Sequence, residues 1–125
     1  AGAAVDLHVP RIFAAVDCGL VVSPVNAEAQ IQGGIVFGLS AALGEAITLK
    51  DGIVEQTNFD RYQLLRMPQA PEVKVEFIDV DAPPGGLGEP GVPPVAPAVA
   101  NAWFAATGQR LRRLPLRAAL RQAAG

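Results

Sequence analysis

Residues 23–44 read Ser-Pro-Val-Asn-Ala-Glu-Ala-Gln-Ile-Gln-Gly-Gly-Ile-Val-Phe-Gly-Leu-Ser-Ala-Ala-Leu-Gly. Ser23-Pro24 marks a helix start, a polar N-cap candidate followed by proline at the first helical position, where its missing N–H costs nothing. Ile31, Ile35, Leu39 and Leu43 recur every four residues, so the spacing predicts a helix with one apolar stripe to bury. The Gly33-Gly34 pair weakens that helix and implies that something packs close to its backbone.

Outward from this helix the pattern becomes extended. Val9 to Val22 is apolar and β-rich and is punctuated by Gly19 and Pro24, which predicts one or two strands. On the other side, Asp51-Gly52 between Ile47–Lys50 and Ile53–Gln56 is a two-residue hairpin turn. Asn58 to Leu65 reads as a short strand or an irregular bridge. Val73 to Val80 alternates apolar and charged residues, as a half-buried strand does. A proline- and glycine-rich loop from Ala82 to Pro94 leads to a second helix, Val95 to Thr107, stopped by Gly108. A short helix begun near Pro115 ends the reading, within Arg113 to Ala123. The order predicts an α+β fold, two main helices on one side of a small antiparallel or mixed sheet.

With 125 residues, the chain has room for one core, and residues 1–125 are read as a single domain. Half of the residues are hydrophobic and 18% are charged, so ordering entropy can be offset by burial and disorder is excluded. The net charge of −2 hides an asymmetry: Arg110, Arg112, Arg113, Arg117 and Arg121 follow the last acid, Glu89. This basic end lacks lysine and has few aromatics, so a solvated or subunit-facing patch is expected and nucleic-acid binding is not. Cys18 is the only cysteine, which excludes an internal disulfide, a four-ligand zinc site and an iron–sulfur cluster within the chain. Glycines and Glu45 interrupt the apolar run from Ile31 to Leu49, so no membrane span is expected. Asp6 and His8 argue against a signal peptide at the start, and the compartment, periplasm or cytoplasm, stays open.

The segment Pro83-Pro84-Gly85-Gly86-Leu87-Gly88-Glu89-Pro90-Gly91 contains the glycine spacing of a dinucleotide fingerprint. Pro83-Pro84 separates it from the preceding strand, Pro90 removes a donor, and no suitable acid follows, so it reads as a decoy. What it presents is a carboxylate among glycines. Glu89 precedes proline and is held extended; in a partly dry pocket it can act as a general base, and otherwise it is a solvated loop residue. Gln30 carries donors and an acceptor beside the Gly33-Gly34 close-approach site. His8 is the lone histidine near a terminus and Cys18 reads as a small buried hydrophobe, so neither carries a triad. Trp103 and Phe104 fit a core helix.

Three stretches together resemble a known family: Val16-Asp17-Cys18-Gly19 followed by Gln30-Ile31-Gln32-Gly33-Gly34-Ile35, then Asn58-Phe59-Asp60-Arg61-Tyr62, then Gly86-Leu87-Gly88-Glu89-Pro90-Gly91. From about Val9 to Leu116 the chain resembles the C-terminal end of the molybdopterin-binding large subunit of the xanthine dehydrogenase and aldehyde oxidase family, most nearly the bacterial isoquinoline 1-oxidoreductase β-subunit type. The resemblance implies that Glu89 lies beside molybdenum and takes a proton from a metal-bound hydroxyl, which attacks an aldehyde or N-heterocycle. It implies that Gln30 contacts the pterin, that Leu87 and Gly88 line the same site, and that no side chain of this chain ligates the metal. The implied cofactors are molybdopterin with molybdenum, in the cytosine dinucleotide form, and iron–sulfur clusters on another subunit.

Ser23 stands where many relatives have asparagine, a change of helix cap. Large subunits of the family run to several hundred residues, so 125 residues are expected to be a fragment, a proteolytic product or one piece of a split subunit. The partners implied are the remainder of the large subunit and an iron–sulfur small subunit. The contrasting reading is a non-catalytic interaction module that docks a partner through its basic C-terminal end.

Overall fold

The computed structural model describes residues 7–123. The expectations that fall on residues 1–6 and 124–125, including the role of Asp6, lie outside the described residues. In chain order the elements are β1 (Arg11–Val16), α1 (Pro24–Leu43), β2 (Leu49–Lys50), β3 (Ile53–Val54), β4 (Glu72–Phe77), α2 (Val95–Thr107) and α3 (Leu116–Ala123). The fold class is α+β, as the order of periodicities predicts.

The sheet differs in its detail from the expected antiparallel or mixed one. β1 pairs with β4 in parallel, from Arg11 opposite Glu72 to Val16 opposite Phe77, and the β2–β3 hairpin is a separate two-stranded sheet. The reason lies in the connection: α1 runs between β1 and β4, and a helical crossover returns the chain in the same direction. The region Val9–Val22 yields one strand, because Gly19 at φ 67° turns the chain after Cys18. The later strand ends at Phe77, three residues short of the predicted Val80.

Both strands alternate strictly. Ile12, Ala14, Val16, Val73, Val75 and Phe77 turn inward, while Phe13, Lys74 and their alternate neighbours face out. The inward face meets the predicted stripe of α1: Ile31, Ile35, Leu39 and Leu43 are all buried, joined by Val95 and Val99 of α2 and Leu116 and Leu120 of α3. The Ser23 hydroxyl accepts no capping hydrogen bond; its carbonyl accepts from Ala27 N at 2.9 Å, so proline alone marks the start of α1. Gly108 ends α2 in the left-handed region, φ 73°, its N–H on Phe104 O at 2.7 Å. No helix among the described residues is long and apolar enough to cross a membrane.

The hairpin turns through Asp51 (φ 51°) and Gly52 (φ 78°), two positive angles that match strand twist. The bridge after it is irregular and is tied to the end of α1 by polar side chains. Leu65 N donates to the buried Ser40 Oγ at 2.9 Å, and the Tyr62 hydroxyl donates to Glu45 Oε2 at 2.6 Å. That hydrogen bond, with burial and the carboxylate charge adding, raises the Tyr62 phenol above its ordinary value of 10.0. The contact favours the neutral phenol, so its contribution is full below pH of about 10 and is lost as pH rises through the raised value. Tyr62 is the only tyrosine, and ultraviolet titration reads it directly. Glu45→Gln is expected to lower its midpoint, and an unchanged midpoint would refute the assignment.

Candidate functional site

The site is built by glycine against glycine. The loop after β4 is rooted on the turn after β1, where Leu20 N donates to Ala82 O at 3.0 Å and Gly85 N to Cys18 O at 2.7 Å. It then crosses α1. A Cβ added to Gly91 would lie 2.9 Å from Ile31 O, one on Gly38 would lie 2.8 Å from Val92 O, and one on Gly34 would lie 3.4 Å from Gly91 Cα. Three positions without side chains let the loop backbone rest on the helix backbone.

This contact brings together residues far apart in sequence. Gln30, one turn before Gly34 on α1, donates from Nε2 to Gly88 O at 3.2 Å. Glu89 follows at once, in a turn closed by Val92 N on Glu89 O at 2.9 Å. Gln30, Gly33, Gly34, Phe37, Gly88 and Glu89 line a surface pocket of about 480 Å³. The expected close approach to the Gly33-Gly34 pair is therefore divided: Gly34 meets Gly91, whereas Gly33 has nothing within 4 Å of where its Cβ would be.

Each residue singled out from the sequence has a definite place. Gln30, Gly88 and Glu89 share the pocket. Leu87 is half-buried and packs on the core cluster, which anchors the loop from below. Glu89 is exposed in this chain, so the partly dry surroundings that a general base needs are not made by these residues alone. Cys18 is buried, as a small hydrophobe is. His8 is exposed and stands away from the pocket, beside β1. Trp103 is half-buried against the core.

Two members of the site went unread in the sequence. Gly38 follows Gly34 by one helical turn, and that spacing was the available signal. Phe37, 66% exposed, stands one turn beyond Gly33 on the same face and walls the pocket. The basic end is partly occupied by its own chain: the Arg110 guanidinium lies 3.4 Å from the Phe104 ring centre, and Arg117 donates to Leu7 O at 3.3 Å.

The pocket suits a planar polar group. Gly33 and Gly88 have open space in place of side chains, so a flat ligand can lie against backbone there. The Gln30 amide has two donors and an acceptor, and its bond to Gly88 uses one of them. Among the described residues no three His, Cys, Asp or Glu side chains cluster to hold a metal. If the glycine contact is what sets this geometry, Gly91→Ala should lower stability by about 1–3 kcal/mol, because its clash is with helix backbone that cannot swing aside. The measurement is the denaturant midpoint, and a wild-type midpoint would mean the contact is loose.

A model of the molybdopterin cofactor-binding domain family matches residues 3–71. The chain is 42% identical over 116 residues to isoquinoline 1-oxidoreductase subunit beta of Brevundimonas diminuta, covering 93% of this chain and 15% of that protein. It is 35% identical over 113 residues to the putative xanthine dehydrogenase molybdenum-binding subunit XdhA of Escherichia coli K12, covering 85% of this chain and 15% of that protein. The chain thus spans about 15% of the length of these curated relatives. Quinoline 2-oxidoreductase of Pseudomonas putida 86 shares the fold, with a TM-score of 0.80 at 23% identity over 92% of this chain and 16% of that one. With more than half of its residues inside the family model, the chain belongs to the molybdopterin cofactor-binding domain family, a family of molybdopterin-dependent oxidoreductases.

Proposed function

We propose that this chain is the C-terminal part of a molybdenum hydroxylase large subunit, as a fragment or one piece of a split subunit, and that it supplies the general base. The observation that carries this reading is the Gly34–Gly91 contact, which holds Glu89 beside Gln30 at the rim of an open pocket. A constrained loop is what a base needs, since geometry precedes pKa in proton transfer.

Residues 1–125 then act as a portion of a larger cofactor-binding unit. Gln30, Gly33 and Gly88 hold the edge of the pterin. Molybdopterin, when bound, supplies an oxidising metal centre that accepts the electron pair taken from the substrate. Glu89 accepts the proton that hydroxylation releases, at its carboxylate oxygen. Closure by the remaining segments excludes water and provides the dry surroundings that Glu89 lacks here. The substrate class is an electron-poor carbon of an N-heterocycle or aldehyde. The cytosine dinucleotide form of the cofactor and iron–sulfur clusters on a small subunit belong to the same reading.

Replacing Glu89 by glutamine in the assembled enzyme, with turnover and molybdenum content measured on one sample, tests the catalytic assignment. Gln30→Ala tests the binding assignment separately. Its expected result is weaker retention of molybdopterin by about tenfold, near the worth of one lost hydrogen bond. Unchanged retention in that variant would remove Gln30 from the site.

A further inference from the structure

The two edges of the β1–β4 pair are not equivalent. Along a strand, the N–H and C=O groups of successive residues point to opposite sides within the sheet plane. Pro10 O and Val16 O accept from Glu72 N at 3.0 Å and Ile78 N at 2.9 Å, so the even-numbered residues of β1 face β4. Arg11, Phe13 and Ala15 therefore direct their peptide groups to the other edge, which pairs with no strand among the described residues. On β4 the same alternation turns Val73, Val75 and Phe77 outward, and there α1 covers the edge: Gln32 Nε2 donates to Val73 O at 3.3 Å.

A groove runs beside the open edge. Two pockets of about 540 and 420 Å³ meet at Ile12, Phe13, Val95 and Ala98, with β1 as one wall and α2 as the other. Ile31 and Ile35 of the core reach the groove, and Phe13 stands at its lip, 70% exposed. Unpaired peptide groups beside an apolar trough are the two parts that strand addition uses: backbone partners in register and room for alternate side chains. A helix would leave the peptide groups unpaired, because its own are already satisfied.

We propose that the free edge of β1 receives one extended strand with alternate apolar side chains, supplied by the rest of the large subunit. The proposal rests on the functional reading that the chain works within a longer subunit; its relatives are several times longer, and on that reading the remaining length supplies the strand. A two-stranded sheet is marginal alone, so the added strand completes an unfinished sheet.

The test is residue-resolved hydrogen exchange in the assembled large subunit, with molybdenum content and turnover measured on the same sample. The Ile12 and Ala14 amides, which face β4, are the internal reference. The expected result is that the Arg11, Phe13 and Ala15 amides exchange within about tenfold of that reference, as paired groups do. Exchange at these three faster than the reference by about 10²-fold or more would overturn the proposal, as would protection that depends on a second copy of this chain. Ala15→Pro removes an outward N–H without touching a β1–β4 bond, and Phe13→Lys places a charge on the edge; each should lower the yield of assembled subunit by about fivefold or more. Wild-type assembly by both would also overturn it. A loaded, active sample with fast edge amides would sink this inference alone, whereas a protected edge without molybdopterin would sink the functional reading alone.

Discussion

Turnover of the assembled enzyme is expected to fall by about 10²-fold or more in Glu89→Gln, with molybdenum content unchanged from wild type. The amide is nearly isosteric with the carboxylate, so the loop keeps its shape, yet it cannot accept the proton. Glu89 makes no side-chain hydrogen bond or ion pair among the described residues, so the replacement leaves no buried partner unsatisfied. The fold should be indifferent to the change. Loss of activity with retained metal would separate a chemical role from a structural one, because a structural role would release the cofactor as well. Wild-type turnover in the variant would end the assignment of Glu89 as base and leave the family membership untouched.

The second large effect is on stability. Gly19→Ala is expected to lower the unfolding free energy by about 3 kcal/mol, combining left-handed strain of about 1–2 kcal/mol with an overpacking cost of similar size. Gly19 sits at φ 67°, and a Cβ there would overlap the Pro83 carbonyl oxygen. The atom in the way is main chain, so relief requires moving the loop root that the Cys18–Gly85 and Leu20–Ala82 hydrogen bonds fix. The same shift would carry Glu89 out of place. A denaturant midpoint lowered at unchanged slope is the expected observation, with reduced turnover at temperatures where the variant is still folded. A midpoint within error of wild type would show that the turn yields easily.

The two predictions act on one loop by different routes. On the proposed function Glu89 supplies the chemistry at the tip, and Gly19 fixes the root from which the tip is aimed. Gly91 follows Glu89 by two residues and joins the loop to α1. A variant at Gly91 should therefore lose stability and site geometry together, whereas one at Glu89 should lose chemistry alone.

Several of these features are legible in the order of residues. The stripe Ile31, Ile35, Leu39, Leu43 forms the buried face of α1 because a helix repeats every 3.6 residues and solvent excludes one face. Asp51-Gly52 and Gly108 take positive φ, as turn and helix-stop chemistry require. Other features escape such a reading for equally physical reasons. Ser23 precedes the helix but leaves its hydroxyl unused, since a pattern of residue types does not fix a rotamer. The direction of strand pairing stays open because alternation is the same in parallel and antiparallel strands.

Sequence alone determined the order of the main helices and strands and the solvent-facing sides of α1 and β4, because periodicity and backbone preference act over a few neighbouring residues. Tertiary structure decided that β1 and β4 run parallel, that Leu87 turns down to the core, and that Gln30 meets Gly88 across 58 residues. Those facts depend on whether two distant backbones can touch. Missing Cβ atoms at Gly34, Gly38 and Gly91 permit it, and no local pattern records which glycine will find which.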